Sequence, residues 1–131
     1  MGVIEVLAND YFIIRIVDEI MYIEYLAEYY DYSVVDEGIK IRLEKTKGKN
    51  FLVLADIRKT KRISREAKAR LSQKDSGIGI IATAILYNSK LQEALFNFFN
   101  LIYKTPVPTR MFTDRKKAVS WLKQFSKNSA I

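Results

Sequence analysis

Phe51-Leu52-Val53-Leu54-Ala55-Asp56 is the stretch on which the fold of this chain turns. Its apolar residues run on without polar alternation. A strand of that kind is covered on both faces, as a central strand of a parallel sheet is. Downstream, Ser64 caps a helix through Lys74, ending near Ser76-Gly77. Ile78 to Tyr87 reads as the next buried strand. Asn88 or Ser89 then caps a helix, with Gln92 completing a capping box after Ser89. Its Leu91, Ala94, Leu95, Phe98 and Ile102 share one helical face. Val107 to Phe112 is a last strand, and Pro108 within it points to a sheet edge. Thr113 caps the final helix, where Ala118, Trp121, Leu122 and Phe125 form a stripe that should bury Trp121 against the sheet.

Upstream, Tyr11 to Val17 and Ile20 to Leu26 are β-branched and aromatic, broken only by Asp18-Glu19. Two such runs with a two-residue break predict a hairpin. Val3 to Leu7 either extends its first strand or forms a short one. A helix follows near 32–47, with Ser33 and Asp36 resembling a capping box and Val35, Ile39 and Leu43 repeating at helical spacing. Gly38 costs this helix about 1 kcal/mol, and Ile39 to Leu43 also alternates like a strand. Gly48 stops the helix. The order is β-β-α-β-α-β-α-β-α. Strands joined by helices run parallel through right-handed crossovers. The expected architecture is therefore α/β: a mixed, mainly parallel sheet of about five strands with an N-terminal hairpin and about four helices. One domain over 1–131 is expected, with its core from about 11 to 126.

Composition narrows the chemistry. The 131 residues are 49% hydrophobic and 28% charged, with 5 Gly and 2 Pro. A chain of this size buries roughly two thirds of its unfolded surface without help from disulfides or metals. Cys and His are both absent. That excludes disulfides, thiolate nucleophiles, Cys-ligated metals and the Ser–His–Asp triad. There is no Gly-rich phosphate loop; Gly77-Ile78-Gly79 lacks a third Gly and leads into a strand. No carboxylates fall at metal-ligand spacing. The expectation is a protein that is not an enzyme and has no catalytic residues, no cofactor and no metal. The first residues lack the basic and apolar regions of a signal peptide, and Ile78 to Leu86 is too short to span a bilayer. A cytoplasmic protein is the expectation.

Net charge is +7 and unevenly spread. Residues 1–39 hold nine acids and the single base Arg15; residues 40–131 hold the other 21 bases and six acids. The split suits two faces of one domain, or an acidic edge meeting a basic one in a dimer.

The ordered set of local strings resembles the STAS superfamily of anti-sigma-factor antagonists, and more closely its bacterial single-domain relatives of the sporulation antagonist, which share features with CRAL-TRIO lipid-transfer domains. Phe51 to Asp56 looks like the central strand ending in Asp. Ile63-Ser64 followed by Glu66-Ala67 falls where the family's second helix begins, and Ala82-Thr83-Ala84-Ile85-Leu86 resembles its third parallel strand. Pro108-Thr109-Arg110-Met111-Phe112-Thr113-Asp114, then Ala118 and Trp121-Leu122, resembles its closing strand and helix. The resemblance implies a regulatory module and places Ser64 where the phosphorylated antagonists carry their modified residue. Ile63 and Glu66 depart from that motif, in which an Asp and a Gly flank the site.

Candidate sites follow. Asp56 ends a central strand at the sheet edge where α/β proteins place ligands, and it could equally cap the next loop. Arg58 to Arg70 holds seven bases and one acid. Asp56, Arg58, Lys59, Lys61, Arg62, Ser64 and Arg65 are the candidate regulatory or anion-binding residues, against the alternative of a solvated loop with Ser64 as a helix cap. Tyr29 and Tyr30, in an acidic aromatic cluster, and Phe96, Phe99 and Tyr103, a second stripe on the third long helix, are candidate interface residues. The expected function is a non-catalytic regulatory or protein-interaction module with an acidic protein partner and self-association. The alternative is a small binding domain for a lipid-like or anionic ligand. Nucleic acid is the weakest choice, because the basic segment holds no aromatic for stacking.

Overall fold

The computed structural model describes residues 2–102 and 105–126, and their side chains except those of 98–102. The elements are β1 (Ile4–Ala8), β2 (Phe12–Val17), β3 (Ile20–Tyr25), β4 (Tyr29–Tyr30), α1 (Tyr32–Lys45), β5 (Phe51–Asp56), β6 (Arg62–Ile63), α2 (Arg65–Leu71), a 3-10 turn (Lys74–Gly77), β7 (Ile80–Leu86), α3 (Lys90–Ile102), β8 (Thr109–Phe112) and α4 (Arg115–Lys123). One sheet runs in the order β1-β2-β3-β5-β7-β8. β1, β2 and β3 are antiparallel neighbours; β3, β5, β7 and β8 are parallel. The mixed sheet and N-terminal hairpin are those the sequence predicts. The strand count rises from about five to six because Ile4–Ala8 pairs with β2 as a strand of its own.

Asp18 makes the hairpin turn possible. Its φ of 56° lies in the left-handed region, which Asp tolerates better than most residues, so Val17 and Ile20 pair directly across two residues. β5 is buried from Phe51 to Ala55, and its alternate residues feed two layers. Val53 packs with Phe12, Ile14, Met21, Val35, Ile39 and Ala67 on the α1/α2 face. Leu52 and Leu54 pack with Ala82, Ala84, Ala118 and Leu122 on the α4 face. Gly38 in α1 is a packing residue. A Cβ there would lie 3.0 Å from the Phe12 ring, so the helix gives up propensity to let β2 approach.

Several local expectations are corrected. Asp31, not Ser33, caps α1: its Oδ1 accepts from Val34 N–H at 3.1 Å and from the Ser33 hydroxyl at 3.0 Å. Asp114, not Thr113, caps α4 and accepts from Lys116 N–H at 2.8 Å. α2 ends at Leu71, short of Lys74, because the chain tightens into the 3-10 turn. Trp121 is only partly buried. It lies between the Phe112 and Phe125 rings, while Ala118 and Leu122 take the positions against the sheet centre. The β4–β6 ribbon was not foreseen, since two-residue strands carry no period to read.

Candidate functional site

The carboxyl ends of β3, β5 and β7 form one rim of the sheet, and the basic segment runs along it. Asp56 and Ser64 share this rim but not a pocket. Asp56 lies on the α4 side with Tyr22, Glu24 and Arg115, whereas Ser64 opens α2 over the opposite face. Arg58 closes on Asp56 as a fork, with Nε–Oδ1 at 3.0 Å and an NH2–Oδ2 bond of 2.7 Å, and its backbone N–H adds a third bond at 3.1 Å. Burial pushes the Asp56 carboxyl up, but these bonds outweigh it and hold the group below the usual carboxylate range.

The other bases are met from within the chain by the acidic first third. Lys59 Nζ lies 4.0 Å from Glu24, and Lys61 Nζ lies 3.4 Å from Glu28. Arg62 stacks over the Tyr29 ring at 5.0 Å. Farther back, Arg70 bonds both Asp36 and Asp75, and Lys40 also pairs with Asp36. Arg65 is exposed in the first turn of α2. Ser64 performs its structural role: its Oγ accepts from Ala67 N–H at 3.1 Å.

Gln92 is the site residue that sequence reasoning undervalued. Its capping-box role is visible in Gln92 N–H to Ser89 Oγ at 3.2 Å. Its side chain does more. Nε2 reaches the carbonyl oxygens of Ile57, Arg58 and Thr60 at 3.0, 2.9 and 3.0 Å. Thr60 is itself buried and donates to the Ala27 carbonyl at 3.2 Å. The loop is therefore anchored from α3 and from the chain before β4. Backbone bonds of Lys61 and Arg62 to the Glu28 carbonyl, at 2.8 and 2.9 Å, continue into the ribbon. The backbone of the rim is thus held in place, while its basic side chains stand exposed.

The aromatic candidates separate. Tyr29 is exposed under Arg62. Tyr30 is corrected from a surface to a core residue: it is fully buried, with its hydroxyl donating to the Tyr11 carbonyl at 2.6 Å and accepting from Ala27 N–H at 3.0 Å. The ring fits there because Phe12 and Tyr25 enclose it. Phe96 borders a cavity between α3 and the sheet. The Phe99 side chain and Tyr103 lie outside the described residues.

No group of three His, Cys, Asp or Glu gathers to hold a metal among the described residues. No helix among them is long and apolar enough to cross a membrane.

A mixed sheet with this order, helices on both faces and a loop-built rim at its carboxyl edge defines a SpoIIAA-like α/β domain. An uncharacterised protein of the DUF3478 family from Shewanella loihica PV-4, whose crystal structure is described as having a SpoIIAA-like fold, is similar to this chain at a TM-score of 0.59. The likeness covers 85% of this chain and 91% of that one at 18% identity, and it shows the STAS-like fold. The chain belongs to the family described as a domain of unknown function, DUF7793, whose pattern matches residues 14–126. No curated protein matches it.

Proposed function

We propose that this protein is a non-catalytic regulatory module of the anti-sigma-antagonist kind, docking on an acidic protein partner through the rim from Arg58 to Arg65 and the adjoining β4–β6 ribbon. The supporting observation is the anchoring of the rim by Gln92 and Thr60. A loop held in this way presents Lys61, Arg62, Arg65 and Tyr29 without a large ordering cost on binding, and preorganisation of that kind raises affinity. Arg and Tyr are the residue types that interfaces favour. Among the described residues, the five bases on this rim find Glu24, Glu28 and Asp56 as their acidic partners, which leaves it positive. The reading does not need Ser64 to be phosphorylated, because Ile63 and Glu66 replace the residues that flank the family's modified site.

The test replaces Lys59, Lys61 and Arg62 together by Ser. Their side chains are exposed and their ion pairs are solvent-screened, so each change should alter stability by less than about 1 kcal/mol. Partner capture by the immobilised protein should fall, and its decline with added salt should become shallower. Equal capture of the same partner by parent and variant would remove the rim from the interface.

A further inference from the structure

On the face of the sheet that α1 and α2 cover lies a cavity of about 210 Å³. Its walls are mainly aliphatic and aromatic, with Ile23, Val53, Ile85, Leu95 and Phe96 among them. It exceeds the void of about 150 Å³ that suffices for a benzene ring. Two wall residues are cations, Lys68 and Arg42, and Arg42 is the more deeply buried. Arg42 is 3% exposed and has no carboxylate partner within ion-pair distance among the described residues. Its two terminal nitrogens donate to the carbonyls of Ile78 and Ser76 at 2.9 and 2.8 Å, while its Nε–H finds no acceptor among those residues.

Asp75 acts on Arg42 from a distance but pairs with Arg70. Arg70 and Lys40 pair with Asp36 and Asp75, so Arg42 is a buried cation held by carbonyls rather than by a carboxylate among the described residues. Burial lowers its pKa, the direction expected for a cation short of a counter-charge. Tyr25 is the second polar group on the wall with spare capacity. Its ring is fixed edge-on by Phe12 and Tyr30, and its hydroxyl makes no hydrogen bond among the described residues. Burial raises its pKa to about 12, so it remains a neutral donor.

We infer that this cavity binds a small apolar monocarboxylate, such as a medium-chain fatty acid, with the carboxylate on Arg42 and the hydrocarbon along the β3–β5–β7 wall. The buried Arg42, which lacks a carboxylate partner among the described residues, suits a negatively charged head group. An ammonium would be repelled, and a neutral alcohol would leave Arg42 uncompensated. Ile57, Thr60, Ile63 and Gln92 on the cavity wall belong to the loop and anchors of the proposed rim, so the cavity lies directly behind that surface while the rim's bases stay exposed.

Decanoate and 1-decanol, which share chain length, provide the test by titration calorimetry below their aggregation concentrations. Decanoate should bind about tenfold or more tighter than decanol, as a charge-assisted hydrogen bond implies. Arg42→Gln should reduce decanoate to the decanol level while leaving decanol affinity unchanged. Ala55→Leu, which fills part of the cavity, should weaken both. Equal affinity for the two ligands, or no binding of either, overturns the inference from the parent protein alone. A decanoate preference that survives Arg42→Gln overturns the assignment of Arg42 as the counter-ion.

Discussion

Gly38 shows how a single residue can be misjudged from propensity. In the interior of α1 its replacement by Ala should add about 1 kcal/mol of helix stability. The added Cβ would meet the Phe12 ring at 3.0 Å. That ring is 5% exposed and held by Tyr25 and Tyr30, with centroids 5.1 and 5.2 Å away. The ring borders the cavity on one side and these two Tyr rings on the others, so it yields only in part, and overpacking costs about 1–3 kcal/mol. Gly38→Ala should therefore lower stability by about 1 kcal/mol in urea unfolding; a gain would show that Phe12 moves freely. Gln92 carries a related lesson. Its spacing from Ser89 was legible, since capping is local. Its bonds to residues 57, 58 and 60 were not, because they join positions more than 30 apart, and only the folded sheet brings those together.

At the scale of elements, what the sequence made plain was what local patterning governs. The uniform apolar run of β5, the Pro108 mark on the edge strand β8 and the stripes of the helices all place their elements. The two-residue β4 and β6 were illegible because they are held by the Glu28 and Tyr30 carbonyls rather than by a pattern of their own. The α4 stripe was right as a face and wrong in its weighting. Ala118 and Leu122 are fully buried, while Trp121 leans outward against Phe112 and Phe125 at 5.8 and 4.9 Å. Trp121→Ala should thus cost about 1–3 kcal/mol, below the 3–5 typical of an enclosed large aromatic. Chemical denaturation followed by circular dichroism checks this, and a loss above about 4 kcal/mol would mean that α4 depends on that ring.

The whole molecule has an unusual titration. With no His or Cys, few groups change charge between pH 5 and 8. Three carboxyls among the described residues are held below the usual carboxylate range: Asp31 through Val34 N–H, Asp36 through Arg70, and Asp56 through Arg58 despite burial. Each binds a proton more weakly folded than unfolded, so the unfolded chain gains protons first as pH falls. Urea midpoints should be flat from pH 8 to 5 and drop below about 4, and Asp36→Asn should flatten part of that drop. A steep change between pH 8 and 5 would contradict this. The space between α3 and the sheet has a mechanical counterpart. Empty volume disappears when a chain unfolds, so compression favours the unfolded state of a protein in proportion to its voids. This domain should yield to hydrostatic pressure more readily than Ala55→Leu, as read by the fluorescence of its single Trp. A guest occupying the space would act as an incompressible filling, making pressure a gauge of occupancy that needs no label on the guest.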